Sequence, residues 1–378
     1  MTTPLPFNRV HITKHELEYV RQAIEGSHLS GDGPFTKRCH EWLERTTGTA
    51  KALLTHSGTA ALEMSAILAD AGPGDEVIMP SFTFPSTANA FVLRGATPVF
   101  VDVDPRTLNI DPARVRDAIT ERTRALVPVH YAGVACDMSA LMAIAADEDL
   151  LVIEDAAQAL LARGDGRPLG TIGQMGALSF HETKNVTSGE GGALLVNDPA
   201  LLERAEIVRE KGTNRSRFFR GLVDKYTWVD VGSSFLPSEL QAAFLFAQLE
   251  HAEQITARRV AIWDAYHEEL ASLERDGLLQ RPLARPDNGH IYYVLLKSEK
   301  VRRGVISHLK STGISAVFHY VPLHSSPAGM RFGRTSGPMH VTDDISERLV
   351  RFPVWPDMTG EDVARVVAAV GQALETDR

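Results

Sequence analysis

The stretch Leu150-Leu151-Val152-Ile153-Glu154-Asp155-Ala156-Ala157-Gln158-Ala159-Leu160 decides how the rest of the chain reads. Four apolar residues run into two carboxylates, and a short helical pattern follows. A run that is apolar on both faces suits a strand covered on both sides, as in a parallel sheet between helix layers. Asp155 then stands at a strand's carboxyl end, where open α/β sheets bind ligands. It reads equally as a cap for the helix Ala156–Leu160.

Working outward, similar runs recur at Ala52–Thr55, Glu76–Met79, Val99–Val103, Ala125–Val129, Ala177–Phe180 and Gly192–Val196. Helical patterns fall between many of them, at Ala60–Ala71, Pro112–Thr120 and Ser139–Glu148, punctuated by Gly72, Gly74 and Gly95. This alternation predicts an α/β fold with a mostly parallel sheet. Near the start, Thr13-x-x-Glu16 reads as a capping box. A helical pattern from Ser238 to Leu273 predicts a long connecting helix. Beyond it, strands at Ile291–Lys297 and Ala316–Tyr320 and helices at Val301–Ser311 and Gly360–Glu375 predict a smaller α+β domain. The expected division is a large domain over 1–249, including the N-terminal segment, and a small domain over 250–378.

The 378 residues suit one large and one smaller domain. With 44% apolar and 23% charged residues the chain has an ordinary globular mix, so disorder, collagen and coiled coil are excluded as its main architecture. A net charge of −9 without a basic run argues against nucleic-acid binding. Two cysteines, Cys39 and Cys136, are too few for a disulfide framework, and a reducing cytoplasm is expected. No signal peptide or membrane span is visible. No metal site is expected.

Three features carry chemistry. The first is Asp155. The second is Lys184, the single lysine between Ala52 and Glu210, followed by Ser188-Gly189-Glu190-Gly191-Gly192. A desolvated lysine amine can form a Schiff base. The third is Thr55-His56-Ser57-Gly58-Thr59-Ala60, a strand end, a small-residue turn and a helix start. The free N–H groups there suit a phosphate, and Gly58 permits close approach. A phosphate cup, a strand-end carboxylate and a lysine are what pyridoxal 5'-phosphate needs. Asp155 would keep the pyridine nitrogen protonated, and Lys184 would anchor the cofactor and then move a proton.

These motifs, with Pro80-Ser81-Phe82-Thr83-Phe84 and Ser179-Phe180-His181, resemble the DegT/DnrJ/StrS family of nucleotide-sugar aminotransferases, which have the fold type I architecture. The resemblance runs from Pro6-Phe7 to Pro353. It implies that Ser57, Gly58, Thr59 and Ser179 hold the cofactor phosphate, that Phe84 stacks on the ring and that Gln158 lies beside the ring hydroxyl. Lys184 is then the Schiff-base lysine. Ser234, in Gly232-Ser233-Ser234-Phe235-Leu236, stands where many members place an asparagine that reaches the neighbouring subunit's phosphate. A homodimer with shared active sites is therefore implied.

Within the family, Leu29–Gly33, Arg209–Ser216, Asp224–Trp228 and Val317–His324 resemble the branch that aminates dTDP-4-keto-6-deoxyglucose, with glutamate as the expected donor. That implies substrate roles for Lys211, Arg215, His319, Tyr320 and His324. Lys211 and Arg215 also read as a solvated helix end, and His181 and His319 as packing histidines. Asp102 and Asp104 read as turn residues. A sugar dehydratase of the same fold carries histidine at the Schiff-base position, and Lys184 argues against it. A 3-aminotransferase and a non-catalytic regulatory relative are the other readings. The configuration of the new C4 amine, gluco or galacto, and its use in an antibiotic or a surface glycan stay open.

Overall fold

Each of the seven apolar runs between Ala52 and Val196 forms a strand, with ends shifted by up to three residues. The computed structural model describes residues 3–376. In chain order the strands are β1 (Lys51–Thr55), β2 (Glu76–Pro80), β3 (Thr97–Val101), β4 (Thr123–Leu126) and β5 (Leu151–Asp155), then the short hairpin β6 (Arg163–Gly164) and β7 (Arg167–Pro168). There follow β8 (Met175–Ser179), β9 (Gly192–Val196), β10 (Leu279–Gln280), β11 (Tyr292–Leu296), β12 (Arg334–Thr335) and β13 (Leu349–Phe352).

Eight of these form one sheet in the order β1-β9-β8-β5-β4-β2-β3-β12. β9 runs antiparallel to both neighbours, and the other strands run parallel. The carboxyl ends of β1, β5 and β8 therefore open at one edge. Apolar side chains fill both faces. Leu53, Met79, Val127 and Ile153 pack toward the helix Gly58–Leu68, while Ile78, Val101, Leu126 and Val152 pack toward the helices Pro112–Ala118 and Met138–Asp147.

The long helical pattern from Ser238 does not form one rod. A capping box at Ser238 and Gln241 starts the helix Glu239–Glu250, the backbone leaves helical geometry at His251, and a second helix runs Ala252–Glu269. The break lets Ala242, Leu245 and Phe246 face the large-domain core while Ile262, Trp263 and Tyr266 face the small one. A third, short helix spans Ala271–Arg275.

The small domain packs the three-stranded sheet β10-β11-β13 against helices Glu299–Ser311 and Gly360–Thr376. Leu5 pairs with Ile314 and lies in this core, so both ends of the chain build it. Residues 316–320 form no strand, contrary to the sequence expectation. Only Val317 pairs, with Arg351, and His319 and Tyr320 then turn toward the domain boundary. The expected capping box at Thr13 is half made. Glu16 accepts from the Thr13 N–H at 2.9 Å, but the helix begins at Glu16 with His15 as its N-cap. Asp104 accepts turn N–H groups as expected, whereas Asp102 accepts the Val341 and Thr342 N–H groups at a helix start in the other domain.

Candidate active site

The carboxyl ends of β1, β5 and β8 meet at a cavity of about 350 Å³ closed on its far side by the small domain. Ser57, Gly58, Thr59, Phe84, Asp155, Gln158, Ser179, Lys184, His319 and Tyr320 all line it.

The turn at Ser57, Gly58 and Thr59 is local in origin. Ser57 caps the helix Gly58–Leu68 by accepting from the Ala60 N–H at 3.1 Å, so its side chain is engaged in building the helix start. The next residues present their N–H groups at the positive end of the helix dipole. Gly58 is required by crowding, because a Cβ there would lie 2.8 Å from Ser179 Cβ. Gly192 faces the same turn, where a Cβ would lie 2.4 Å from the Ser57 carbonyl oxygen. Thr59 shares a 2.7 Å hydroxyl contact with Ser86.

Asp155, the last residue of β5, is 5% exposed. Its Oδ2 accepts from the Thr87 hydroxyl at 2.7 Å and its Oδ1 from the Ala157 N–H at 3.2 Å. The preceding Glu154 points away from the cavity. It accepts from His130 and from the Gly170, Ile172 and Gly173 N–H groups, all at 2.8 Å or less. Adjacent carboxylates thus do different work, one at the site and one holding the loop before β8. Gln158 Oε1 accepts from the Ala132 N–H, and its Nε2 donates to Tyr320 Oη at 2.9 Å.

Lys184 sits in the loop between β8 and β9, which is closed by Glu182 N–H to Gly189 and Phe180 N–H to Gly191. Asn185 ties this loop to the small domain through Asn288 and His290, both at 2.8 Å. Burial pushes the Lys184 amine down to about 8, with Asp155 opposing and Arg351 reinforcing that shift. A lowered amine pKa is what a lysine nucleophile needs. Phe84 remains 60% exposed although it lines the cavity, leaving an aromatic face uncovered by the chain itself. An uncovered ring, a crowded helix start, a fixed carboxylate and a lowered amine together fit pyridoxal phosphate.

Four residues implicated by the sequence lie elsewhere. Lys211 and Arg215 pair with Glu210 on an exposed stretch, at 3.7 and 2.6 Å. Ser234 is exposed and bridges to Glu210. His324 is held by Ser81 at 2.8 Å and Asp343 at 3.3 Å, outside the cavity lining. Conversely, Thr87, Arg259, His290 and Arg351 belong to the site or its support and went unnoticed in the sequence. Thr87 lies three residues beyond Phe84, a spacing that helix geometry makes legible, but the other three arrive from the small domain with no local motif.

The fold and cavity define an aminotransferase of the fold type I architecture. The chain belongs to the DegT/DnrJ/EryC1/StrS aminotransferase family, whose model matches residues 10–371. It is 34% identical to the Bacillus subtilis spore coat polysaccharide biosynthesis protein SpsC over 97% of this chain and 96% of that one. It is 32% identical to the GDP-perosamine synthase of Caulobacter vibrioides over 95% of each. Spr1654 of Streptococcus pneumoniae, described as a sugar aminotransferase and solved in its PLP form, superimposes with a TM-score of 0.90 at 26% identity, covering 99% of both chains.

Proposed function

We propose that this aminotransferase uses pyridoxal 5'-phosphate to move the amino group of glutamate onto C4 of dTDP-4-keto-6-deoxyglucose. One observation carries the reading: Lys184, its amine lowered to about 8, shares a cavity with Asp155 and with the helix start at Gly58 and Thr59. The cofactor, when bound, supplies the electron sink for amino transfer. Gly58 and Thr59 would bind its phosphate through their N–H groups, and Asp155 would hold the proton on its ring nitrogen. Lys184 would anchor it and carry the proton between carbon atoms. His319 and Tyr320 would border the sugar.

The same reading makes the protein a cytoplasmic homodimer. Phe219, Leu222 and Trp228 are 70%, 60% and 78% exposed on the stretch that also carries Lys211, Arg215 and Ser234. An exposed apolar patch of this kind supports pairing with a second copy. Lys211, Arg215 and Ser234 would then serve the neighbouring subunit's cavity, where a diphosphate needs cations.

The test incubates the holoenzyme with glutamate and either dTDP-4-keto-6-deoxyglucose or the GDP-linked 4-keto-6-deoxy sugar, with NMR of the product. A dTDP-linked amine at C4 is expected, in gluco or galacto configuration. Amination at C3, or a clear preference for the GDP sugar, would overturn the substrate assignment.

A further inference from the structure

Asn185, the residue after the lysine, is held by a segment of the small domain, Asn288-Gly289-His290-Ile291. The backbone of that segment is seated on the helix Ala252–Glu269. Arg259 Nη2 donates to the His290 carbonyl at 2.8 Å, and Trp263 Nε1 donates to the Ile291 carbonyl at 3.1 Å. Gly289 has a φ of +56°, and a Cβ there would lie 2.7 Å from the Arg259 carbonyl carbon, so this close seat requires glycine. The side chains of Asn288 and His290 reach the large domain. Asn288 Nδ2 donates to the carbonyls of Gln158 at 2.9 Å and Leu160 at 3.1 Å, in the turn after Asp155. The Asn288 carbonyl accepts from Asn185 Nδ2, and His290 Nδ1 lies 2.8 Å from Asn185 Oδ1.

These bonds fix the direction of each donor. Asn185 gives its amide hydrogen to the Asn288 carbonyl, so its Oδ1 can only accept and His290 Nδ1 carries the ring proton. Burial, with Lys184, Arg259 and Arg351 nearby, pushes the His290 pKa well below its ordinary value, and the ring stays neutral. All three side chains are buried. Between Lys184 and the side chains of Gln158, Asn185, Asn288 and His290 only about 10 Å³ remain, room for one water molecule at most. On its other side Lys184 faces the main cavity of about 350 Å³. The amine therefore has space to move in one direction only.

We propose that Asn288 and His290 are positioning residues for Lys184, holding Asn185 so that the amine meets the reactant from one fixed direction. A buried polar network with its bonds satisfied makes its surroundings rigid. Here one segment of the small domain ties the loop that carries Lys184 to the turn that follows Asp155. Neither residue touches the reacting atoms, and both act through Asn185. To carry a proton between carbon atoms the amine must stay within reach of both on one face. A displacement of about 1 Å costs on the order of 100-fold in rate.

This inference rests on the aminotransferase reading, and the two fail separately. Wild-type holoenzyme that is inert toward glutamate removes that reading, while the circular dichroism of the bound cofactor still tests the positioning. The experiment compares wild type with His290→Phe, His290→Asn and Asn185→Leu. Phenylalanine keeps a ring and loses the donor, whereas asparagine returns an amide nitrogen close to the place of Nδ1. Asn185→Leu removes both bonds at nearly constant volume and carries the same test should His290→Phe fail to fold. Single-turnover reactions with glutamate and with 2-deuterated glutamate are read as rate constants per bound cofactor, beside circular dichroism in the cofactor's absorption band. His290→Phe and Asn185→Leu should react about 10- to 100-fold more slowly, with glutamate affinity within about threefold of wild type and a primary isotope effect on the slowed step. Their cofactor band should weaken, and His290→Asn should recover most of both losses. A merely structural role would lower the amplitude, through fewer folded molecules, and leave the rate constant and the band unchanged. That result, a slowed step without an isotope effect, or His290→Asn as slow as His290→Phe, overturns the proposal.

Discussion

Thr87 donates its hydroxyl to Asp155 Oδ2 at 2.7 Å from the first turn of the helix that Phe84 caps. Thr83 in turn lies 2.8 Å from the Thr87 hydroxyl. The segment that presents the aromatic ring thus also fixes the carboxylate, and the two would approach one cofactor from different sides. Asp155→Asn keeps the size and removes the charge, so turnover should fall at least ~100-fold, the scale of a lost acid–base group. Thr87→Val removes one hydrogen bond to a charged group and should cost about 10-fold. Steady-state kinetics of both variants checks the order. Asp155→Asn within threefold of wild type would contradict the role.

Cofactor loading should follow the state of the Lys184 amine. Only the neutral amine attacks an aldehyde, so the rate of apoenzyme loading should rise with pH and level off above about 8, well below the range of an ordinary lysine. Removing Arg351, which lowers the amine, should move the midpoint up. Removing Asp155, which raises it, should move the midpoint down. Stopped-flow absorbance across pH measures all three.

Much of this was legible in the sequence because its signals are local. The period of the apolar runs predicts the parallel sheet, and the strand end at Asp155 and the helix start at Gly58 need only neighbours to be understood. Lys184 stands out because no other lysine lies near it in the chain. The break at His251 was hidden, since helical periodicity continues through it and only the placement of two cores requires it. Residues 316–320 look like a strand by composition, yet after Val317 the chain leaves the sheet to bring His319 and Tyr320 to the cavity. Arg351 was hidden for another reason. It reaches the cavity only where the two domains meet, and among so many arginines no spacing marks it.

Glu154 should matter for stability before it matters for catalysis. It is fully buried and satisfies three loop N–H groups and His130, whose Nδ1 accepts from the Cys136 N–H at 3.2 Å. Glu154→Ala would strand those donors and should destabilise the fold by about 3–5 kcal/mol. Urea unfolding of the two proteins provides the check, and a difference below about 1 kcal/mol would show that the network is dispensable.

Arg215 lies outside its own chain's cavity and pairs with Glu210 at 2.6 Å. If it meets a diphosphate across a subunit boundary, Arg215→Gln should raise the KM for nucleotide sugar about 10-fold and leave that for glutamate unchanged. An equal rise for both substrates would rule out a diphosphate contact. Sedimentation of the wild type is the companion measurement, and a fully active monomer would contradict the shared site.

The central claim is that Lys184 anchors pyridoxal phosphate in this cavity. Borohydride reduction of the purified holoenzyme, followed by proteolysis and peptide mass mapping, tests it most directly. The account predicts one phosphopyridoxyl group per chain, on Lys184, and none on Lys184→Ala protein treated the same way. Label on another lysine, or full turnover by the Lys184→Ala variant, would contradict it.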